Sequence, residues 1–174
     1  MQKEISKSNT VPSSLSKVNL LFSKSCDLEI KNYQIEKESS AYKAWFFDVD
    51  KKKAAFRAAK ITPKKVGLFV TLWKRNKRGA TIPFDEKDNI DLIIIEVENS
   101  DRIGHFVFNK RILVEKGIIS SKKEGKRGFR IYPPWELPPN KQATTTQFWQ
   151  SDYFFEFNRM TTATNRYLQR LINL

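Results

Sequence analysis

The stretch Phe56-Arg-Ala-Ala-Lys-Ile-Thr-Pro-Lys-Lys-Val-Gly-Leu-Phe-Val-Thr-Leu-Trp-Lys-Arg75 is the part of the sequence from which the fold is predicted. Its pattern predicts a strand that leads directly into a helix over residues 63–75. Thr62 is a suitable helix N-cap, and Pro63 suits the first helical position, where no backbone N–H is needed. Four apolar side chains then recur at the spacing of one helical face, and these are Val66, Phe69, Val70 and Trp73.

Cations surround this predicted junction between strand and helix, namely Arg57, Lys60, Lys64 and Lys65. Because a helix N-terminus already carries partial positive charge, lysines in its first turn are unfavourable unless an anion lies among them. The alternative is that both lysines point into water. The concentration of cations favours an anion-binding site at the junction.

The net charge of the chain narrows the class of partner. The 174 residues carry a formal charge of +13, with 40% hydrophobic and 13% aromatic residues, which indicates a folded domain that attracts polyanions. Nucleic acid is the first candidate and an anionic membrane surface the second, while charge that serves only solubility is the alternative. We expect one domain overall, with a tail and first helix over residues 1–27, a core over 28–157 and a helical tail over 158–174.

Several classes of protein are disfavoured by the same sequence. No apolar run is long enough to span a membrane, and the first residues lack the apolar centre of a signal peptide, so we expect a cytoplasmic protein. The single Cys26 cannot form an internal disulfide, and with the single His105 it makes no cluster of metal ligands. The acidic stretch 85–91 lacks the glycine of a calcium loop. No cofactor is therefore predicted.

The remaining elements are predicted from periodicity and from capping residues. A short helix is expected over residues 14–22, and residues 23–40 are expected to be irregular, with one short strand at most. Strands are expected over 42–49 and 54–60, joined by a turn, and over 91–97 with both faces covered. His105 starts a further strand and is expected to be structural, and Asn109 caps a helix that Gly117 ends. A basic loop over 122–128 leads into a strand that Pro133 closes, followed by a helix over 141–157 and an amphipathic tail.

Four stretches resemble the MepB-like family, small bacterial proteins named for a member encoded beside a multidrug efflux pump. They are Ala55-Phe-Arg-Ala-Ala-Lys-Ile-Thr-Pro-Lys-Lys-Val-Gly67, Phe69-Val-Thr-Leu-Trp-Lys-Arg75, Gly125-Lys-Arg-Gly-Phe-Arg-Ile-Tyr-Pro-Pro-Trp135 and Thr146-Gln-Phe-Trp-Gln150. The resemblance covers roughly residues 28–157. It implies an α/β fold of the restriction-endonuclease-like, PD-(D/E)XK type, in which helices flank a central mixed sheet. It also implies nucleic-acid binding and a link to drug response through a multidrug resistance operon.

The catalytic triplet of such nucleases is incomplete in this sequence. These enzymes hold a divalent metal between an Asp of one hairpin strand and the acid of an acid-x-Lys triplet on the next, and the metal activates water. The corresponding triplet is Ala58-Ala59-Lys60, which keeps the lysine and lacks the acid. Ala58 is expected opposite Ala44 or Trp45, which leaves Asp48 near the turn, about 10 Å away at roughly 3.3 Å per residue. Neither a catalytic residue nor a metal ligand is therefore predicted, and Lys60 is expected to contact phosphate.

The predicted binding residues form two basic groups beside aromatic side chains. Cations can follow phosphates while an exposed ring stacks on an unpaired base. Tyr132 and Trp135 are expected to be exposed platforms, whereas Trp73 is expected in the core. The nucleic-acid-binding residues are predicted to be Arg57, Lys60, Lys64, Lys65, Lys74, Arg75, Lys126, Arg127, Arg130, Tyr132 and Trp135.

The predicted function is non-catalytic binding of nucleic acid, with RNA or single-stranded DNA favoured over duplex DNA. One alternative is a metal-dependent nuclease that uses displaced carboxylates, such as Glu36, Glu38 or those of residues 85–91. Another is a regulator whose basic surface meets an acidic protein partner. The oligomeric state stays open.

Overall fold

The computed structural model describes residues 10–173, so most of the tail predicted at the start of the chain lies outside the described part. The helices and strands, in chain order, are α1 (Ser16–Cys26), β1 (Ile30–Ile35), β2 (Trp45–Val49), β3 (Lys52–Ala58), β4 (Lys60–Thr62), β5 (Lys65–Thr71), β6 (Lys74–Arg75), β7 (Thr81–Ile82), β8 (Leu92–Asn99), β9 (Arg102–Asn109), α2 (Lys110–Glu115), β10 (Gly128–Ile131), α3 (Lys141–Ser151), β11 (Phe154–Glu156) and α4 (Thr162–Asn173). Short 3-10 helices occupy Ser13–Leu15, Lys37–Tyr42 and Phe157–Arg159.

A six-stranded mixed sheet forms the centre of the protein, in the order β1-β2-β3-β8-β9-β11. Its neighbouring strands are antiparallel except for β3 and β8, which run parallel. Trp45 pairs with Phe56 across the β2–β3 hairpin, which confirms the predicted hairpin. The parallel pair requires a crossover, and here the crossover consists of β4 to β7 together with their loops.

The central sheet is covered on both faces, which makes a three-layer protein. On one face Phe56 and Ile94 pack with residues of α1 and α4, including Phe22 and Leu168. On the other face Ile93 and its neighbours pack against a second, three-stranded sheet with the order β10-β5-β4. A strand buried on both faces needs apolar side chains at successive positions, so the prediction for residues 91–97 is confirmed.

The predicted helix over residues 63–75 is wrong, because the segment forms strands β4 and β5 with a turn between them. Alternate residues of the segment are buried: Leu68, Val70 and Leu72 are at most 2% exposed, whereas Phe69 and Thr71 between them are only half-buried. Thr62 and Pro63 signal a turn as well as a helix start, and Gly67 adopts a φ of +81°. Burial against the central sheet selects the period of two over the helical period. No helix N-terminus therefore lies beside Lys64 and Lys65.

Other predicted elements are confirmed at their capping residues. The Asn109 side chain accepts a hydrogen bond from the Ile112 amide at the start of α2, and Gly117 follows the helix with a φ of +67°. The helix predicted over 141–157 ends at Ser151, and Phe154–Glu156 instead pairs with β9 as an edge strand. The segment predicted to be irregular over 23–40 contains the end of α1 and the six-residue β1.

None of the helices among residues 10–173 is long and apolar enough to cross a membrane.

Candidate nucleic-acid interface

The outer face of the three-stranded sheet carries a row of cations and rings that we call the cation–aromatic row. Phe69 of β5 lies directly opposite Arg130 of β10 on one side and opposite Lys60 of β4 on the other. The Arg130 guanidinium lies 5.8 Å from the centre of the Phe69 ring. The Lys60 ammonium lies 4.8 Å from the centre of the Tyr42 ring, which extends the row by one more aromatic side chain.

Strand alternation explains why these side chains share one face. Leu68, Val70 and Ile131 point into the core between the two sheets, so their neighbours Phe69 and Arg130 point outward. The sequence contained this signal as an alternation through residues 68–72, but the same apolar residues also fit one helical face. Phe69 was for this reason missing from the predicted site, and Tyr42 was missing because it was assigned to the strand predicted over 42–49 instead of the 3-10 segment.

The geometry of the row is held by hydrogen bonds and by close packing. Arg130 Nη2 donates to Thr62 Oγ1 at 2.8 Å, and its Nη1 donates to the Gly67 carbonyl at 3.1 Å. Phe69 leans across to β10, since a Cβ atom on Gly128 would lie only 2.6 Å from Cζ of the Phe69 ring. Residue 128 therefore has to be glycine for the ring to take this position.

The edge of β10 is closed by a side chain instead of a strand. Gln150 is fully buried; its Oε1 accepts a hydrogen bond from the Tyr132 amide at 2.9 Å. Its Nε2 donates to the Arg130 carbonyl, also at 2.9 Å. The amide of Gln150 thus reproduces the two hydrogen bonds that a neighbouring strand would make and fixes the strand that carries Arg130.

Five of the predicted cations have no ion-pair partner within residues 10–173. Among the residues that the structure describes, no ion pair involves Lys60, Lys64, Lys65, Lys126 or Arg130. Lys64 and Lys65 lie where the β4–β5 turn leads into β5, and they line a groove of about 490 Å³ together with Asn99 and Glu136. These ammonium groups are available to an anion.

Arg57 does not belong to the binding surface, contrary to the prediction. Its side chain is completely buried, and its Nη2 lies 2.6 Å from Oε2 of Glu36. Burial lowers the pKa of Arg57 and raises the pKa of Glu36, while their mutual attraction acts on each in the opposite direction. Because breaking a buried pair leaves an uncompensated charge, Arg57 is fixed in a structural role.

Three other predicted cations are already paired with carboxylates. Lys74 Nζ lies 2.5 Å from Asp88, and Arg75 Nε lies 2.6 Å from Glu38. Arg127 makes a longer contact of 3.5 Å with Glu124. Phosphate would have to displace these acids.

The two predicted aromatic platforms are wrong. Tyr132 is only 8% exposed, and its ring packs over Gly67, where a Cβ atom would lie 2.6 Å from Cε1 of Tyr132. Trp135 is partly buried and packs edge-on against Phe154, while the Arg102 guanidinium covers its ring at 4.6 Å. The two rings lie on either side of a pair of prolines. This segment folds back onto α3, so neither ring projects into solvent. Neither offers a free ring face to a base.

Ala58, at the position where a nuclease has its catalytic acid, lies beside a buried pair formed by Glu96 and His105. Ala58 pairs with Glu96 of β8, whose carboxylate lies 3.1 Å from Nε2 of His105 on β9. Glu96 and His105 lie directly opposite each other on these two strands. Burial opposes ionisation of Glu96, but the hydrogen bond and the charge of His105, with more distant Lys17 and Lys43, lower its pKa overall. The pair is buried and joins neighbouring residues of β8 and β9.

The other carboxylates near the hairpin are engaged by neighbouring residues. Asp48 contacts Lys53 across the hairpin at 2.8 Å and accepts a hydrogen bond from Asn32. Asp91 accepts from the backbone amide of Lys53. Within residues 10–173, no group of three or more His, Cys, Asp or Glu side chains is placed to hold a metal ion.

The order of the elements defines an α/β protein in which helices flank a central mixed sheet. A family model described as MepB-like matches residues 36–156, and the chain belongs to the MepB-like family. A solved structure described as "Crystal Structure of MepB" shares 33% sequence identity with this chain and superposes with a TM-score of 0.74. That match covers 86% of this chain and 100% of the other. No protein of curated function matches the chain.

Proposed function

We propose that this protein binds nucleic acid, RNA or single-stranded DNA in preference to duplex, in the cytoplasm and without cutting it. The observation that carries the proposal is the cation–aromatic row on an open sheet face. Cations that flank a partly exposed ring can contact successive phosphates while the ring stacks on the base between them. Duplex DNA keeps its bases stacked on one another, so it would use only the cations.

A nuclease-like ancestry is part of the proposal. The order of α1, three antiparallel strands and a fourth strand parallel to β3 agrees with the core of a PD-(D/E)XK nuclease. One departure is that the connection before β8 is built from strands, where such a core has a helix. In this interpretation Lys60 is the retained lysine of the triplet, and it serves as a phosphate contact in the row.

The absence of cleavage is supported by the side chains around Ala58. A metal in this position would need oxygen ligands within ~2.6 Å. Glu96 is the nearest acid in register; it is 4% exposed and bound to His105. Of the displaced candidates, Glu36 is held by the buried Arg57, and Glu38 pairs with Arg75 in the free protein. A lone lysine cannot replace the metal that polarises phosphate and supplies hydroxide.

The proposal is tested by fluorescence anisotropy with labelled RNA, single-stranded DNA and duplex DNA over a range of salt concentrations. Replacing Lys60 with Ala should reduce the slope of log K against log salt by about 0.7 on single strands. Lys24→Ala is the matched control, because Lys24 also lies over a ring, that of Phe157, but on α1 across the central sheet. It should leave the slope unchanged.

The stacking ring is tested separately. Phe69→Leu keeps an apolar side chain in the sheet and removes the ring, so single-strand binding should weaken by about 1–3 kcal/mol with a smaller loss on duplex. Phe148→Leu, at a ring that is 79% exposed on α3, should have no effect. Failure of the wild-type protein to bind any polynucleotide at low salt would refute the proposal. Equal losses on single strands and duplex would refute the preference for unpaired bases.

A further inference from the structure

We propose that Arg75 is a second phosphate-binding position on the same surface, and that the Glu38 carboxylate occupies this position in the free protein. The inference rests on the proposed function, since it extends the path of the same polynucleotide beyond the cation–aromatic row. Phosphate displaces Glu38 from Arg75 when the strand binds.

One short segment links this position to the row. The 3-10 segment Lys37–Tyr42 places Tyr42 beneath the Lys60 ammonium and Glu38 against Arg75, with Nε of Arg75 2.6 Å from Oε2. Tyr42 lies four positions after Glu38, so the two are at most about 14 Å apart along the backbone even in an extended segment. Two phosphates of one flexible strand can reach across that distance. Lys60 and Arg75 therefore lie within reach of a single bound strand.

The Arg75–Glu38 pair is exposed enough to exchange its anion. The two side chains are 45% and 48% exposed, and such surface pairs contribute little because water solvates both partners. Glu36, at the start of the same segment, pairs instead with Arg57, whose side chain has no exposed surface. A phosphate can replace Glu38 without burying or uncovering a charge, but it cannot reach Arg57.

Arg75 is already held in place for an incoming phosphate. Its Nη1 donates to the Gly79 carbonyl at 2.6 Å, and its guanidinium lies 5.4 Å from the centre of the Trp73 ring. The β6–β7 turn also presents Lys77 and Arg78, which are exposed and have no ion-pair partner among the described residues. A nucleic-acid strand that extends beyond Lys60 would thus contact further cations around Arg75.

The test is a double-mutant cycle read by anisotropy with labelled single-stranded RNA. Glu38→Gln should raise the affinity by about two- to five-fold, the factor associated with an exposed ion pair. It should also steepen the dependence of log K on log salt by about 0.7. In an Arg75→Gln background the same Glu38→Gln change should have no effect beyond that of the control below.

Removing any acid makes the protein more basic, so a matched glutamate is needed. Glu98 is 55% exposed and pairs with Lys17 of α1 at 3.5 Å, on the side of the central sheet away from the cation–aromatic row. Glu98→Gln changes the net charge equally and should raise affinity less than Glu38→Gln.

The outcomes separate the two proposals. A wild-type protein that binds no polynucleotide would refute the proposed function. If the wild-type protein binds but Glu38→Gln matches Glu98→Gln, or if its gain persists without Arg75, the inference about Arg75 is wrong and the cation–aromatic row is unaffected.

Discussion

Replacement of Gln150 tests whether a buried side-chain amide holds the strand that carries Arg130. In Gln150→Leu, the Tyr132 amide and the Arg130 carbonyl lose the partners that they contact at 2.9 Å. An unsatisfied buried group costs about 1–3 kcal/mol, and the Arg130 carbonyl is only partly buried, so water can reach it. We therefore expect a loss of about 2–4 kcal/mol in the free energy of unfolding.

The assay is urea unfolding followed by tryptophan fluorescence, with the free energy obtained by linear extrapolation. Gln142→Leu is the control, since Gln142 is an exposed residue of the same helix and its replacement should cost less than about 0.5 kcal/mol. Gln150→Glu should be destabilised at neutral pH, because a carboxylate can accept from Tyr132 but cannot donate to Arg130. Stabilities of Gln150→Leu and Gln142→Leu that agree within experimental error would refute the role assigned to Gln150.

Two further predictions concern catalysis and acid stability. Wild-type protein and Lys60→Ala should both fail to cleave labelled DNA or RNA with magnesium or manganese, and cleavage that the mutation abolishes would overturn the non-catalytic interpretation. Because the folded-state pKa of Glu96 is lowered, the stability that its ionisation contributes is present above the ordinary glutamate pKa and is lost as pH falls through the folded-state value. Glu96→Gln should cost about 1 kcal/mol at neutral pH and should flatten this acid limb of the unfolding curve; an acid limb identical to wild type would assign it to other groups.

The sequence predicts elements well where one period or one cap dominates. The hairpin of β2 and β3 is bounded by a polar turn, and the strand β8 is apolar at successive positions. The Asn109 cap of α2 uses a local side-chain hydrogen bond that needs no tertiary contact. The folded protein therefore has the element that each of these local patterns predicts.

Prediction from the sequence fails where tertiary packing decides between two local structures that both fit the sequence. Residues 62–73 fit a capped amphipathic helix and a turn followed by a strand, and only the core between the two sheets selects the strand. The prediction of which charged and aromatic residues are exposed fails for the same reason. Arg57 is buried because Glu36 reaches it from another segment, and Tyr132 is buried because Gly67 leaves space for its ring. Both partners lie distant in sequence, so no local pattern reveals them.

The cation–aromatic row joins parts of the chain that are synthesised far apart. Lys60 and Phe69 come from one hairpin, whereas Arg130 lies on β10, which is separated from β5 in the sequence by β6 to β9 and α2. Closing so long a loop carries an entropic cost, and contacts between residues so distant in the sequence slow folding. A nascent or partly folded chain would carry the positive charge without the ordered surface, and its attraction to polyanions would be that of a flexible basic polymer. The proposed selectivity for unpaired bases would consequently be a property of the completed fold.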